Sequence, residues 1–215
     1  MVWWNMEELE NKIKQSFFNL LERPRTPGSI HVSALPFCLR REFFNIKFNA
    51  NPQPNSNMVS GKIHHLALRY LDVFDGAEFE VEVSEELKSG YRLSGRVDIV
   101  CRGIGVIYEF KFTKRANSQE LDPLYFAQAN AYAVMCGCEK FYLVKVHRDT
   151  LDVRIIEGEA DRDAFNVLKQ RALQVIDCLE NNVIPFGPER DWECKNCVYN
   201  IVCKNLKEEQ RRLEE

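Results

Sequence analysis

The chain lacks any apolar run approaching the roughly 18–20 residues that a helix needs to cross a bilayer, which excludes a spanning helix on length alone. It also lacks an excess of basic charge. The formal net charge is −3, so no global field draws in nucleic acid, and DNA would have to be held by local basic patches or through a metal. Residues 1–23 lack the pattern of a signal peptide; they are acidic early and read as a helix, so the expected location is the cytoplasm. No internal repeat is present. What the 215 residues do have is an ordinary apolar fraction of 45% and charged fraction of 28%, enough for one substantial domain over residues 1–215. They also have eight cysteines. In a reducing compartment clustered cysteines point to metal ligands, intracellular disulfides being a habit of some hyperthermophiles.

Residues 5–22 repeat Met6, Leu9, Ile13, Phe17, Leu20 and Leu21 at helical spacing, and Pro24 and Pro27-Gly28 end the pattern. Ser33 is placed to cap a second helix carrying Leu35, Cys38, Phe43 and Phe44. Residues 49–57, with two prolines and no periodicity, predict a surface loop, either a plain connector or a mobile lid. A helix follows over 60–74, then strands over 79–87, 91–101 and 106–112. A helix over 118–135 has Pro123 near its first turn. Strands over 140–146 and 151–157 flank a turn at Arg148-Asp149, and a long helix over 160–179 is broken by Asn181-Asn182 and Pro185 to Pro188. A charged helix from Lys204 to Glu215 closes the chain. The succession predicts an α/β fold with a mixed sheet, its core at about 58–180, and terminal segments outside that core.

Asp98 ends Gly95-Arg96-Val97-Asp98 in one expected strand, and Glu109 and Lys111 share the next, Val106 to Phe112. Residues two apart in a strand face the same way, so Glu109 and Lys111 emerge together while their apolar neighbours face the other side. Singly, Asp98 could be a turn residue and Glu109 with Lys111 a solvated ion pair. Together, on apolar strands, two carboxylates and an ammonium are costly to bury unless paired or bound to a metal. An oxygen-rich site suits Mg²⁺ or Mn²⁺. A histidine of Gly61-Lys62-Ile63-His64-His65 can complete the shell, either His64 or His65. Carboxylates holding a divalent cation, beside a lysine that steadies developing negative charge or positions a water, are what phosphodiester hydrolysis requires.

Near the C-terminus Cys194, Cys197 and Cys203 form a C-x2-C-x5-C run, whose first pair fits two ligands on one tight turn. Cys38 is the best-placed fourth, and a ligand set split between the chain ends would clamp them together. Spacing leaves zinc and iron–sulfur equally open. Cys101, Cys136, Cys138 and Cys178 read as buried thiols, with Cys136-x-Cys138 an alternative ligand pair.

The ordered set Gly61-x-x-x-His65, Gly-Arg-Val-Asp98, Glu109-x-Lys111 and Gln128-x-x-x-Tyr132 resembles the RecB-like branch of the PD-(D/E)xK nucleases. With Cys38 and the C-terminal cysteine run around it, the chain is most similar to the CRISPR-associated exonucleases, over about Ser33 to Cys203. The resemblance implies a restriction-endonuclease-like core and an iron–sulfur region from about 30–48 plus 185–205. It favours His65 over His64. It implies Mn²⁺ or Mg²⁺ bound by His65, Asp98, Glu109 and the backbone carbonyl of Phe110, with Lys111 catalytic and Gln128 and Tyr132 in support. It also implies a 4Fe-4S or 2Fe-2S cluster on Cys38, Cys194, Cys197 and Cys203. The implied activity is digestion of single-stranded DNA ends, 5′ to 3′, to prepare fragments for CRISPR spacer acquisition. The implied partners are single-stranded DNA and the spacer-integration complex, with no membrane and a homo-oligomer left open. The rival reading is a non-catalytic iron–sulfur or zinc module that binds DNA ends or docks on the integration machinery. Arg40, Arg41, Lys114 and Arg115 are candidate phosphate contacts. Tyr125 and Phe126 are either base-stacking residues or helix core.

Overall fold

The computed structural model describes residues 6–19, 26–49, 56–88, 90–114, 118–188, 190–195 and 197–206. Helix α1 spans Met6–Asn19, strand β1 Ser29–His31, α2 Leu39–Lys47 and α3 Ser56–Ala67. Strands β2 (Glu78–Lys88), β3 (Tyr91–Cys101) and β4 (Val106–Thr113) follow. Then come α4 (Asp122–Cys136), β5 (Lys140–His147), β6 (Val153–Glu159), α5 (Arg162–Glu180) and the short α6 (Trp192–Lys195). Among the described residues no helix is long and apolar enough to cross a membrane.

The six strands form one mixed sheet in the order β1-β3-β4-β5-β6, with β2 antiparallel along β3. The β4–β5 pair is parallel, which requires a crossover, and α4 supplies it. On one edge β3 changes partner. Arg92 to Ser94 pair with β1, and Ile99 to Cys101 pair with β4. Residues 95–98 between them have no described strand on that edge, so β3 and β4 splay there. Asp98 occupies the splay.

The period-two pattern of β4 sorts its residues cleanly. Ile107 packs with α4 and α5 residues in the main core, alongside Leu93, Ala129, Tyr132, Phe141, Leu168 and Ile176. Phe110 packs on the opposite face with Leu68, Ile99, Val144 and Val146. Glu109 and Lys111 therefore stand on the α4 side, while Phe110 and Phe112 face α3. Gly95 is required where it is: a Cβ there would lie 2.4 Å from the Tyr132 ring, which is itself buried.

Several boundaries differ from the sequence expectation. Ser33 lies in a 3₁₀ turn, Val32–Ala34, and does not cap α2, whose N-cap is Cys38. Pro36 contributes, because it has no backbone N–H to donate to a continuing helix. Helix α4 starts at Asp122 rather than Ser118 because Pro123 is most favourable in the first turn. The helix expected over 60–74 runs from Ser56 to Ala67 and then tightens into two 3₁₀ turns, with Leu71 extended between them. The loop or lid over 49–57 falls mainly on residues 50–55, outside the described residues, as does most of the charged C-terminal helix; residues 200–206 are helical.

Candidate active site

Asp98 bridges the splay with its own side chain. Its Oδ2 accepts a hydrogen bond from the backbone N–H of Phe110 at 2.7 Å, supplying to β4 the acceptor that a neighbouring strand would otherwise give. Its Oδ1 lies 3.0 Å from Nδ1 of His65. His64 turns elsewhere: its Nδ1 is 2.6 Å from the carbonyl of Ser60, and its ring stacks on Phe112. Of the two histidines, the structure thus places His65 in the site.

Glu109 is 2% exposed and its two oxygens have different surroundings. Oε1 accepts from Lys111 Nζ at 2.6 Å and from Gln128 Nε2 at 2.7 Å. Oε2 is buried and has no partner, and His65 Nδ1 is likewise buried without a hydrogen bond, its approach to Asp98 lacking the required direction. Two buried acceptors left unmade in one cavity are costly unless a cation takes them. Lys111 also donates to Gln128 Oε1 at 3.1 Å and sits over the Tyr125 ring, 5.1 Å from its centroid. Gln128 and Tyr132 lie one helical turn apart on the inner face of α4, and the Tyr132 hydroxyl is hydrogen-bonded to Gln128.

Electrostatics follow from burial. Burial, then the charge of Asp98, raise the Glu109 carboxyl from 4.5 to about 7, against the pull of Lys111. Burial alone would lower the Lys111 ammonium, but Glu109 and Asp98 more than offset it, so Lys111 is held charged. Burial pushes the Tyr132 phenol well above its ordinary value, with Glu109 and Asp98 adding to the effect, so it acts only as a neutral group.

Sequence reasoning missed Glu80. Within β2 it reads as one polar residue of an alternating strand, Glu78-Phe79-Glu80-Val81-Glu82. In the fold its carboxylate is paired with Lys62 and Arg96, each at 2.8 Å. Ligating atoms of His65, Glu80 and Asp98 lie within 4.8 Å of one another. Only the β2–β3 register, which sets Glu80 opposite Asp98, could have revealed this. With the orphaned Glu109 oxygen, the donor set of carboxylates and one imidazole fits a divalent cation of the Mg²⁺ or Mn²⁺ kind. The site opens into a cavity of ≈ 710 Å³ that runs past Arg92, Ser94 and Ser29 toward Glu42 and Asn45. That is far more room than a single ion needs.

Cys38, Cys194, Cys197 and Cys203 line a second, small cavity with Glu193 and Tyr199. The chain ends are tied around it: Glu193 accepts from the Cys38 N–H at 2.7 Å, Arg190 donates to the Pro36 carbonyl at 2.8 Å, and Tyr199 donates to Asn45 at 2.9 Å. Burial pushes the Cys38 thiol up. Of the other four cysteines only Cys138 is fully buried; Cys101, Cys136 and Cys178 are half-buried, which corrects the expectation for those three. They lie at sheet and helix ends, where a thiol caps the core without being enclosed by it.

The expected DNA contacts divide. Arg40 is occupied by the Pro185 carbonyl at 2.9 Å, and Arg41 lies over the Phe37 ring. Lys114 pairs with Asp149 at 3.5 Å, and Arg115 is outside the described residues. Phe126 is core: it packs edge-on against Phe141, and a Cβ at Gly158 would strike both rings. Tyr125, half-buried over Lys111, is the aromatic beside the site.

Comparison with known proteins agrees with this geometry. A family described as the PD-(D/E)XK nuclease superfamily matches residues 15–204. A CRISPR-associated exonuclease Cas4 of Saccharolobus solfataricus is 26% identical over 205 residues, covering 89% of this chain and 95% of that protein. The crystal structure of SSO0001 superposes with a TM-score of 0.69 at 24% identity, over 94% of this chain and 98% of that one. An alkaline exonuclease from Laribacter hongkongensis gives a TM-score of 0.54 at 13% identity, over 78% of this chain and 93% of that one. The match over most of its length, together with the Asp98, Glu109 and Lys111 geometry, establishes that this chain belongs to the PD-(D/E)XK nuclease superfamily.

Proposed function

We propose that this nuclease is a metal-dependent DNA exonuclease that digests single-stranded ends in the 5′ to 3′ direction and prepares fragments for CRISPR spacer acquisition in the cytoplasm. The observation that carries the metal dependence is that Glu109 Oε2 and His65 Nδ1, both buried and without hydrogen bonds, belong to residues that line one cavity with Asp98. His65, Asp98, Glu109 and the carbonyl of Phe110 would hold the cation. When bound, a divalent cation draws charge from the phosphate oxygens and eases deprotonation of a water. The chain's own residues do the rest. Lys111, kept charged by its neighbours, meets the negative charge that builds on the phosphoryl oxygens. Gln128 ties Lys111 and Glu109 together, accepting from the one and donating to the other, and Tyr132 fixes Gln128. Tyr125 offers a half-buried aromatic face beside the scissile position, a surface on which a base of a single strand can stack.

The reading extends to an iron–sulfur cluster: Cys38, Cys194, Cys197 and Cys203 line one small cavity, and four thiolates are what such a cluster needs. The spacer-integration complex is the partner this reading implies. Incubating the chain with single-stranded DNA labelled at one end or the other, with Mn²⁺, tests activity and polarity. Early loss of a 5′ label is expected. Loss of the 3′ label first would reverse the polarity, and no shortening by folded protein would leave a DNA-end-binding module.

A further inference from the structure

Glu80 belongs to none of the sequence motifs, yet it stands where the site's charges meet. It lies on β2 opposite Asp98, between the Phe79↔Ile99 and Val81↔Val97 pairs. Its backbone is left-handed, with φ 55, a conformation that a residue with a long side chain seldom holds inside a strand. Such strain persists where the surrounding structure over-determines it, and it gathers at ligand sites. Glycine or asparagine would relieve the backbone, so what glutamate contributes here is its carboxylate. That side chain is 12% exposed. One of its oxygens lies within 4.8 Å of the ligating atoms of His65 and Asp98. Glu109, whose buried Oε2 has no partner, lines the same cavity.

Lys62 Nζ and Arg96 Nε both meet a single oxygen of Glu80, Oε2, leaving Oε1 outside the two pairs. The carboxylates Glu80, Asp98 and Glu109 interact with the cations Lys62, Arg96 and Lys111, while Glu42, Glu82 and Arg92 line the rest of the cavity. The protein part of the site is thus close to neutral. An entering divalent cation adds two positive charges and competes with Lys62 and Arg96 for the same carboxylate. Whichever of the two is displaced is left beside the position of the substrate phosphate, where a guanidinium or ammonium binds well.

We propose that Glu80 is a further ligand of the divalent cation, contested by Lys62 and Arg96, so that metal entry turns one of these cations from Glu80 toward the substrate phosphate. This rests on the metal-dependent reading above and extends it to a residue with no assigned role. It makes metal and substrate binding mutually reinforcing, because each relieves a charge that the other creates.

The test is direct Mn²⁺ binding to the full chain without substrate, read by electron paramagnetic resonance, with inner-sphere waters counted by water-proton relaxation. Glu80→Gln is expected to weaken Mn²⁺ at least about tenfold, the loss that even an outer-shell partner causes. It should also add one bound water, which the removal of a merely nearby charge would not do. Arg96→Gln removes a competitor and is expected to shift affinity the opposite way, tightening Mn²⁺ severalfold. Asp98→Ala is the control for the underlying reading. Unchanged affinity and water count in Glu80→Gln, with binding lost in Asp98→Ala, would overturn this inference alone. Weaker Mn²⁺ binding in Arg96→Gln would overturn the competition. Absence of Mn²⁺ binding to the unmodified chain would overturn both this inference and the metal-dependent reading.

Discussion

The half-used carboxylate of Glu109 makes a quantitative prediction about stability without metal. Its pKa rises from 4.5 to about 7 on folding, burial being the main cause. At about 1.4 kcal/mol per pH unit the displacement is worth roughly 3 kcal/mol. The folded state holds the proton more tightly than the unfolded chain does. This contribution is therefore fully present below pH 4.5 and is lost as the pH rises through about 7. In a chain of this length, roughly 2–4 °C per kcal/mol converts it to a fall of about 6–12 °C in Tm. Glutamine at 109 cannot ionise, so the assay is thermal unfolding of chelator-treated wild type and Glu109→Gln at intervals from pH 4.5 to 8, with the difference between their curves isolating this group. Adding Mn²⁺ at pH 8 should restore wild type, by about 2.7 kcal/mol at a hundred times its Kd, and stabilise the variant less, by about 1.4 kcal/mol for a tenfold weaker site. Parallel pH profiles for the two proteins would refute the raised pKa of Glu109 in the metal-free site.

Other substitutions probe separate parts of the account. Lys111→Ala should reduce cleavage by about 10²–10³-fold, as loss of one preorganised charge-stabilising donor does, with folding retained by circular dichroism. Gly95→Ala places a Cβ 2.4 Å from the buried Tyr132 ring and should cost about 1–3 kcal/mol in chemical denaturation, while displacing Gln128 enough to lower activity. Cys197→Ala should lose iron, by elemental analysis and visible absorbance, and lower Tm because the clamp between the chain ends is cut. An unchanged iron content would exclude Cys197 as a ligand.

The sheet that carries the site was largely legible because its strands are rich in Val, Ile, Tyr and Phe between clear turn signals. The extent of β3 matches the expected 91–101, and β4 differs by one residue at its end. Glu109 and Lys111 share a face because strand periodicity dictates it, and Gln128 and Tyr132 because helical periodicity does. Glu80 was not legible, since its role depends on which strand lies beside Asp98 and on a left-handed backbone that no composition signals. The splay at Gly95 to Asp98 is similarly a product of two partners, β1 and β4, sharing one edge of β3. Phe126 and Tyr125 are adjacent and chemically alike; only the fold sends one into the core and the other toward Lys111. The helical spacing of α1 matches its helix, but Leu9, Ile13 and Phe17 remain exposed, because periodicity predicts a face and not what covers it.

The most direct measurement is cleavage of end-labelled single-stranded DNA with Mn²⁺ by the wild-type chain and by Asp98→Ala. Asp98 holds both the Phe110 backbone and the His65 side of the site, so its loss should abolish a shortening that also disappears with chelator. Shortening that survives Asp98→Ala, or that proceeds equally with chelator present, would contradict a metal-dependent nuclease centred on these residues.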